Sequence, residues 1–254
     1  MIKKIYILLI IIISTINISR ATNDLVAISD SAEIYYTQGD YQKAIDNYNK
    51  ILNKGYESGK LYFNLGNAYY KLNKINDAIL NYERAKILLP NNKDVKFNLG
   101  MAKRNITDKI EKVPVFFVIS WYRAFRGMFS TDMWAIISLI SFVLLLSLIF
   151  LFFFTRTAST KKISFWFAIT LFIITTTSFV FSSQEKERIS ERNYAIVFEP
   201  VVNIKASPND SATELFVLHE GTKVEIRQSS KDWVEIKIAD GSIGWIKRDL
   251  LVII

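Results

Sequence analysis

Residues 134–154 and 163–183 each run for 21 positions without a charged side chain. A helix of about 20 apolar residues crosses the hydrocarbon core of a bilayer, so these stretches predict two transmembrane helices on which the rest of the chain hangs. The loop between them, 155–162, holds Arg156, Lys161 and Lys162 and no acid. Short loops rich in Lys and Arg stay on the cytoplasmic side, which predicts that residues 23–132 and 184–254 both lie outside. Arg123 and Arg126 reduce this asymmetry without reversing it. Trp134 and Trp166 stand near span ends, where indole rings favour the membrane interface.

At the N-terminus, Lys3 and Lys4 precede an apolar run over 5–13, with Ser19 and Ala21 as a small-x-small cleavage site. This pattern fits a signal peptide over 1–21, the alternative being an uncleaved anchor extending through Ile18. The chain contains no cysteine, which excludes a disulfide framework, a thiolate metal site, a cysteine nucleophile and an N-terminal lipid-modified cysteine. Its net charge of +8 comes from Lys and Arg spread through the sequence beside 24 acids, so no basic stripe points to nucleic acid.

Residues 25–92 match themselves at an offset of 34: Tyr35 on Tyr69, Ala44 on Ala78, Tyr48 on Tyr82. The second copy reads Tyr62-x-x-Leu65-Gly66-x-x-Tyr69, then Ala78-x-x-x-Tyr82, Ala85 and Pro90. Period and signature resemble the tetratricopeptide repeat, a pair of antiparallel helices. The units are 25–58 and 59–92, the first degenerate, with Ser31-Ala32 in place of Leu-Gly. Residues 94–110 start a third unit that lacks its second helix, and 25–112 reads as two repeats plus a capping helix running toward the membrane. The concave face predicts a groove lined by Tyr36, Lys60, Phe63, Asn64, Asn67, Tyr70, Lys71, Phe97, Met101 and Arg104. Solenoids of this kind bind peptides, and Lys60, Lys71 and Arg104 with the two asparagines would hold a peptide carboxylate or acidic tail; the alternative is ordinary repeat consensus and solvated cations.

Between repeats and spans, 113–132 is aromatic and basic together, a composition suited to the membrane interface. From 195 to 254 the period changes to short alternating strands, with Asp240-Gly241 as a hairpin turn. Val202-Asn203-Ile204-Lys205-Ala206-Ser207-Pro208, Leu218 to Gly221, Trp233 and Gly241-x-x-Gly244-Trp245 resemble the bacterial Src-homology-3 (SH3) family. That resemblance implies an SH3-like barrel and loosely a peptide or cell-wall ligand. Trp233 and Trp245 are either ligand platforms or barrel core.

The fold class expected is therefore a multidomain membrane protein: an α-helical solenoid, a transmembrane helical hairpin and an all-β barrel. One histidine and no cysteine leave little material for a catalytic constellation. His219 reads as a solvated turn residue, and Glu185 and Glu187 as part of an exposed, charge-alternating helix. No enzyme activity, metal or cofactor is expected.

The order of features, with Asn64-Leu65-Gly66-Asn67-Ala68-Tyr69-Tyr70-Lys71 and Leu215-Phe216-Val217-Leu218-His219-Glu220-Gly221, resembles the repeat-and-barrel proteins of the aerotolerance (Bat) operon of Bacteroidetes-type bacteria. This resemblance implies an inner-membrane complex with von Willebrand A-type proteins and a MoxR-type ATPase, active in oxidative-stress tolerance, with both globular parts periplasmic. Two functional readings follow: a protein-interaction scaffold touching membrane lipid and membrane proteins, or an envelope sensor whose barrel binds cell-wall polymer.

Overall fold

The computed structural model describes residues 24–111, 113–190 and 193–254; the signal expected over 1–21 lies outside them. The chain divides into two compact units, one made from residues up to 111 together with 193–254, the other from 112–192. The first unit is therefore discontinuous, and the second is inserted into it.

The first unit opens with helical residues 24–37 (α1), followed by α2 (Tyr41–Asn53), α3 (Gly59–Lys71), α4 (Ile75–Leu88) and α5 (Lys93–Lys103). The side chains of Asp40, Ser58 and Asn92 cap α2, α3 and α5 by accepting from backbone N–H groups of the first turn. The turn inside each helix pair needs a left-handed residue, and the 34-residue period supplies it twice: Gly39 at φ 83° and Asn73 at φ 58°. Asn is among the few non-glycine residues that visit this region readily. Of the residues matched by the repeat, Ala44, Tyr48, Ala78 and Tyr82 are buried, and Tyr35 and Tyr69 are partly buried. Gly66 is small because α4 lies against it: a Cβ there would overlap the Tyr82 ring.

Seven strands follow: β1 (Tyr194–Val197), β2 (Val201–Lys205), β3 (Glu214–His219), β4 (Lys223–Ser230), β5 (Trp233–Lys237), β6 (Ile243–Lys247) and, after a short 3₁₀ turn, β7 (Leu251–Ile253). They form an antiparallel sheet in the order β3-β2-β6-β5-β4-β1-β7. Contrary to the barrel expected, the ladder does not close, because β3 and β7 do not pair. The repeats contact both edge strands instead. Arg84 of α4 donates to the Ile253 carbonyl of β7 (2.7 Å), and the His219 N–H at the end of β3 donates to Asp108, just beyond α5 (2.8 Å).

Strand β1 explains the joining of repeats and sheet. Ala195 and Val197 point into the sheet core with Ile204, Leu218, Ile236 and Ile246, whereas Ile196 points the other way. Ile196 and Ile254 share a cluster with Ala78, Ile79, Leu80, Leu99 and Ala102 of the repeats, with Phe198 and Val252 alongside. Burying apolar area on both sides of one strand contributes roughly 25 cal/mol per Å² on each. The segment expected to continue the capping helix toward the membrane turns off after Lys103, and its Ile110 packs on the sheet core.

The second unit contains α6 (Phe117–Arg126), α7 (Thr131–Phe154) and α8 (Ala158–Ser190). Helices α7 and α8 are long and apolar enough to cross a membrane, and only 11% of the most apolar window of each is buried. A core helix of a soluble protein would be mostly covered. Hydroxyls zip the pair: Ser138 Oγ donates to the Thr175 carbonyl (3.2 Å), Ser141 Oγ lies 2.8 Å from Thr175 Oγ1, and Ser182 Oγ donates to the Thr131 carbonyl (3.1 Å). The link between them is shorter than expected, because Lys161 and Lys162 already belong to α8.

One expectation is corrected here, that for Glu185, and Trp134 gains protein neighbours. Trp134 is 5% exposed, enclosed by Phe125, Phe129 and Phe181, and its Nε1 donates to the Arg126 carbonyl (2.8 Å); Trp166 is exposed. Glu185 does not face solvent but is buried, accepting from Arg126 Nε (3.0 Å) and Arg188 Nε (2.6 Å). The reason is the same for both, since α6 folds back onto the end of α8.

Replacing Gly66 by Ala sets overpacking of roughly 1–3 kcal/mol against a helix-propensity gain of up to about 1 kcal/mol. Gly66→Ala is expected to lower the unfolding free energy of the full chain, whereas Gly100→Ala, where an added Cβ meets nothing within 4 Å, is expected to raise it. Thermal unfolding in detergent measures both.

Candidate functional site

Where α1, α3 and α5 come together, a cleft of about 300 Å³ is lined by Tyr36, Asn67, Tyr70, Lys71, Tyr82, Phe97, Asn98 and Met101. Of the groove residues expected, Tyr36, Asn67, Tyr70, Lys71, Phe97 and Met101 are brought together. Asn67 organises the wall, its Oδ1 accepting from Tyr82 Oη (2.8 Å) and Asn98 Nδ2 (2.8 Å). Burial pushes the Tyr82 phenol well above its ordinary range, so it stays a neutral donor.

Lys60, Phe63, Asn64 and Arg104 do not line this cleft. Lys60 is exposed in the first turn of α3, and Phe63 packs against the Tyr82 ring (6.0 Å). Asn64 hydrogen-bonds Tyr48, and Arg104 caps α5 with its side chain exposed. The three cations expected to clamp a carboxylate are thus not assembled. With Lys71 as the one charged lining residue, the cleft suits an apolar or aromatic side chain flanked by groups that bond to the amide cradle. Tyr82 and Asn98 are the lining residues that sequence reasoning missed. Tyr82 reads as core, and Asn98 follows Phe97 with nothing to mark it.

On the sheet, Trp233 and Trp245 are partly buried, while their neighbours Val234, Ile236, Gly244 and Ile246 are buried. This puts both rings on the outer face rather than in the core. Lys247 sits opposite Trp233 in the ladder, with its Nζ 5.6 Å from that ring's centroid. Lys205 lies opposite Trp245 and pairs with Glu214 (2.9 Å).

Charged residues tie the repeats to the sheet. Glu83 of α4 is 1% exposed; its Oε1 lies 2.5 Å from Lys103 Nζ of α5 and its Oε2 2.8 Å from Lys223 Nζ of β4. Burial would raise the Glu83 carboxyl, but the ammonium groups of Lys223, Lys103 and Lys86 more than offset it and hold the group at about 2. Asp108 makes three contacts: with the His219 N–H (2.8 Å), His219 Nδ1 (2.7 Å) and Thr222 Oγ1 (2.6 Å). Burial again opposes ionisation, and these donors keep the carboxyl below its ordinary value. His219 is therefore a junction residue and not the solvated turn histidine expected. Asn76 of α4 donates to Glu220, and a Cβ at Gly221 would overlap Ile106.

Comparison with known families matches residues 59–92 and 30–53 to the tetratricopeptide repeat and residues 200–252 to the bacterial SH3 domain. The chain thus carries tetratricopeptide repeats and a bacterial SH3 domain. No curated protein matches it.

Both junction carboxylates have depressed values in the folded state, so the unfolded chain binds more protons at low pH. The stability contributed by Glu83 is present above its ordinary 4.5 and is lost as pH falls from there toward about 2. The unfolding midpoint of the full chain should therefore drop as pH falls from about 5 toward 2. Glu83→Gln should flatten that dependence and cost about 3 kcal/mol near neutrality, the scale for breaking a buried ion pair by removing one partner. A Glu83→Gln protein with the wild-type pH profile would contradict this assignment.

Proposed function

We propose that this protein is a non-enzymatic, membrane-anchored interaction scaffold of a bacterial envelope complex, with its cleft gripping an apolar side chain of a partner protein. The supporting observation is the discontinuous first unit. Residues 24–111 and 193–254 pack as one body around a shared core, and a body packed from both must occupy one compartment. The inserted chain then crosses the bilayer an even number of times, and α7 and α8 supply two crossings. With Arg156 in the turn between them and Lys161 and Lys162 near the start of α8, the positive-inside rule supports a cytoplasmic turn and a periplasmic repeat–sheet body. The resemblance to the aerotolerance proteins supports partners of the von Willebrand A and MoxR ATPase types and a role in oxidative-stress tolerance.

The second reading is a sensor whose sheet binds wall polymer, and the partly buried outer pair Trp233 and Trp245 favours it. Indole rings with one accessible face suit sugar or peptide backbones.

A photo-crosslinking residue at position 97, introduced into the full chain in growing cells, separates the two. The scaffold reading expects one discrete protein adduct, lost on Tyr70→Arg, which fills and charges the cleft. No protein adduct at position 97, together with retention of the purified chain on peptidoglycan that Trp245→Ala abolishes, would replace the scaffold with the sensor.

A further inference from the structure

The α5 helix occupies an unusual position. Phe97, Asn98 and Met101 on one side of it form a wall of the cleft. On its other side Val95, Leu99 and Ala102 are buried against α4 and its neighbours. In a complete repeat a following antiparallel helix would cover α5 and set its position. Here the chain leaves helical geometry after Lys103 and is caught by the sheet. Ile106 packs into the shared cluster beside Ile196 and Ile254, Asp108 bonds to His219 and Thr222, and Ile110 packs on the sheet core. Lys103, the last residue of α5, shares Glu83 with Lys223 of β4. The chain that follows α5 thus meets the SH3 sheet and not a second helix.

We infer that the sheet is the positioning element of the cleft: its docking through Asp108, His219, Thr222, Glu83 and Lys223 holds α5 in place and thereby sets how tightly the cleft grips its ligand. This deepens the scaffold reading and rests on it. These are positioning residues, since Asp108, His219, Thr222, Glu83 and Lys223 all lie outside the cleft lining. The physical basis is that α5 packs against α4 along one side, so loss of the sheet contacts frees its C-terminal end. An 11-residue helix is marginal alone in water. A partner that pulled on the sheet's outer face would, by the same coupling, alter the cleft.

The test uses the full chain in lipid nanodiscs and reads hydrogen exchange helix by helix, with the photo-crosslinking side chain at position 97 as the probe of the cleft in cells. Asp108→Ala is expected to speed exchange of the α5 amides by about tenfold or more, the scale of losing charge-assisted hydrogen bonds, while α2 and α3 exchange as before. Adduct yield at position 97 should fall in parallel. Because the chain has no cysteine of its own, the Asp108→Cys/Thr222→Cys double variant provides a clean rescue. Oxidised, it should restore α5 protection and adduct yield; reduced, it should lose both. A uniform rise across α2 to α5 that oxidation does not reverse would overturn the inference, since that is global destabilisation. Unchanged α5 exchange in both variants would overturn it too. So would a loosened α5 with undiminished adduct yield. The cleft reading itself is judged separately, by the Tyr70→Arg control in the wild-type background.

Discussion

Glu83 is a carboxylate on an interior helix face, almost completely shielded from water, and its compensating charges come from elsewhere in the chain: Lys103 from α5 and Lys223 from β4. Removing a carboxylate from water costs several kcal/mol unless good partners replace the hydration. Helix α4 therefore cannot bury its full face until α5 and the sheet have both arrived. The apolar part of the junction obeys the same condition, because Ile196 on β1 and Ile254 after β7 complete the cluster that Ala78, Ile79 and Leu99 begin. Repeats and sheet share a cluster and form one compact unit rather than two tethered domains.

This dependence explains why the sheet can remain open. A free strand edge exposes unpaired N–H and C=O groups and invites association with other chains. Here the Ile253 carbonyl of β7 is answered by Arg84 and the His219 N–H at the end of β3 by Asp108, so the repeats satisfy one backbone group at each edge. The hairpin inserted between the halves also has a consequence for assembly. The repeats are synthesised before the hairpin and the sheet after it, so the body is completed only once the whole inserted segment has been made.

Much of this was legible in the sequence. The 34-residue period placed the repeat helices and even the turn, where Gly39 and Asn73 take equivalent left-handed positions. The uncharged runs located α7 and α8, and the alternation of Val234 and Ile236 with Trp233 and Glu235 marked a sheet with one inward face. The junction was not legible. Asp108 and His219 are 111 positions apart, and a carboxylate in an ordinary repeat helix carries no mark of its future burial. The cleft was half legible: Lys60, Asn64, Asn67 and Lys71 share one face of α3, but a helix rises 1.5 Å per residue, which sets Lys60 about 16 Å from Lys71 along the axis. The cleft sits near the C-terminal end of α3, where α5 closes it, and α5 is placed by contacts that no local pattern encodes. Glu185 was misread for a related reason, since α6 returns to cover a residue that local composition assigns to water.

The central claim is that residues on either side of the hairpin form one body in one compartment. Single cysteines at Lys60, Ser211 and Ser159, exposed positions in the repeats, the sheet and the start of α8, can each be challenged in intact cells with a membrane-impermeant maleimide. The account predicts that Lys60→Cys and Ser211→Cys label together, and that Ser159→Cys labels only after the membrane is permeabilised. Labelling of one of the first pair without the other would place the repeats and the sheet on opposite sides of the bilayer, and the shared core described here could not exist in the cell.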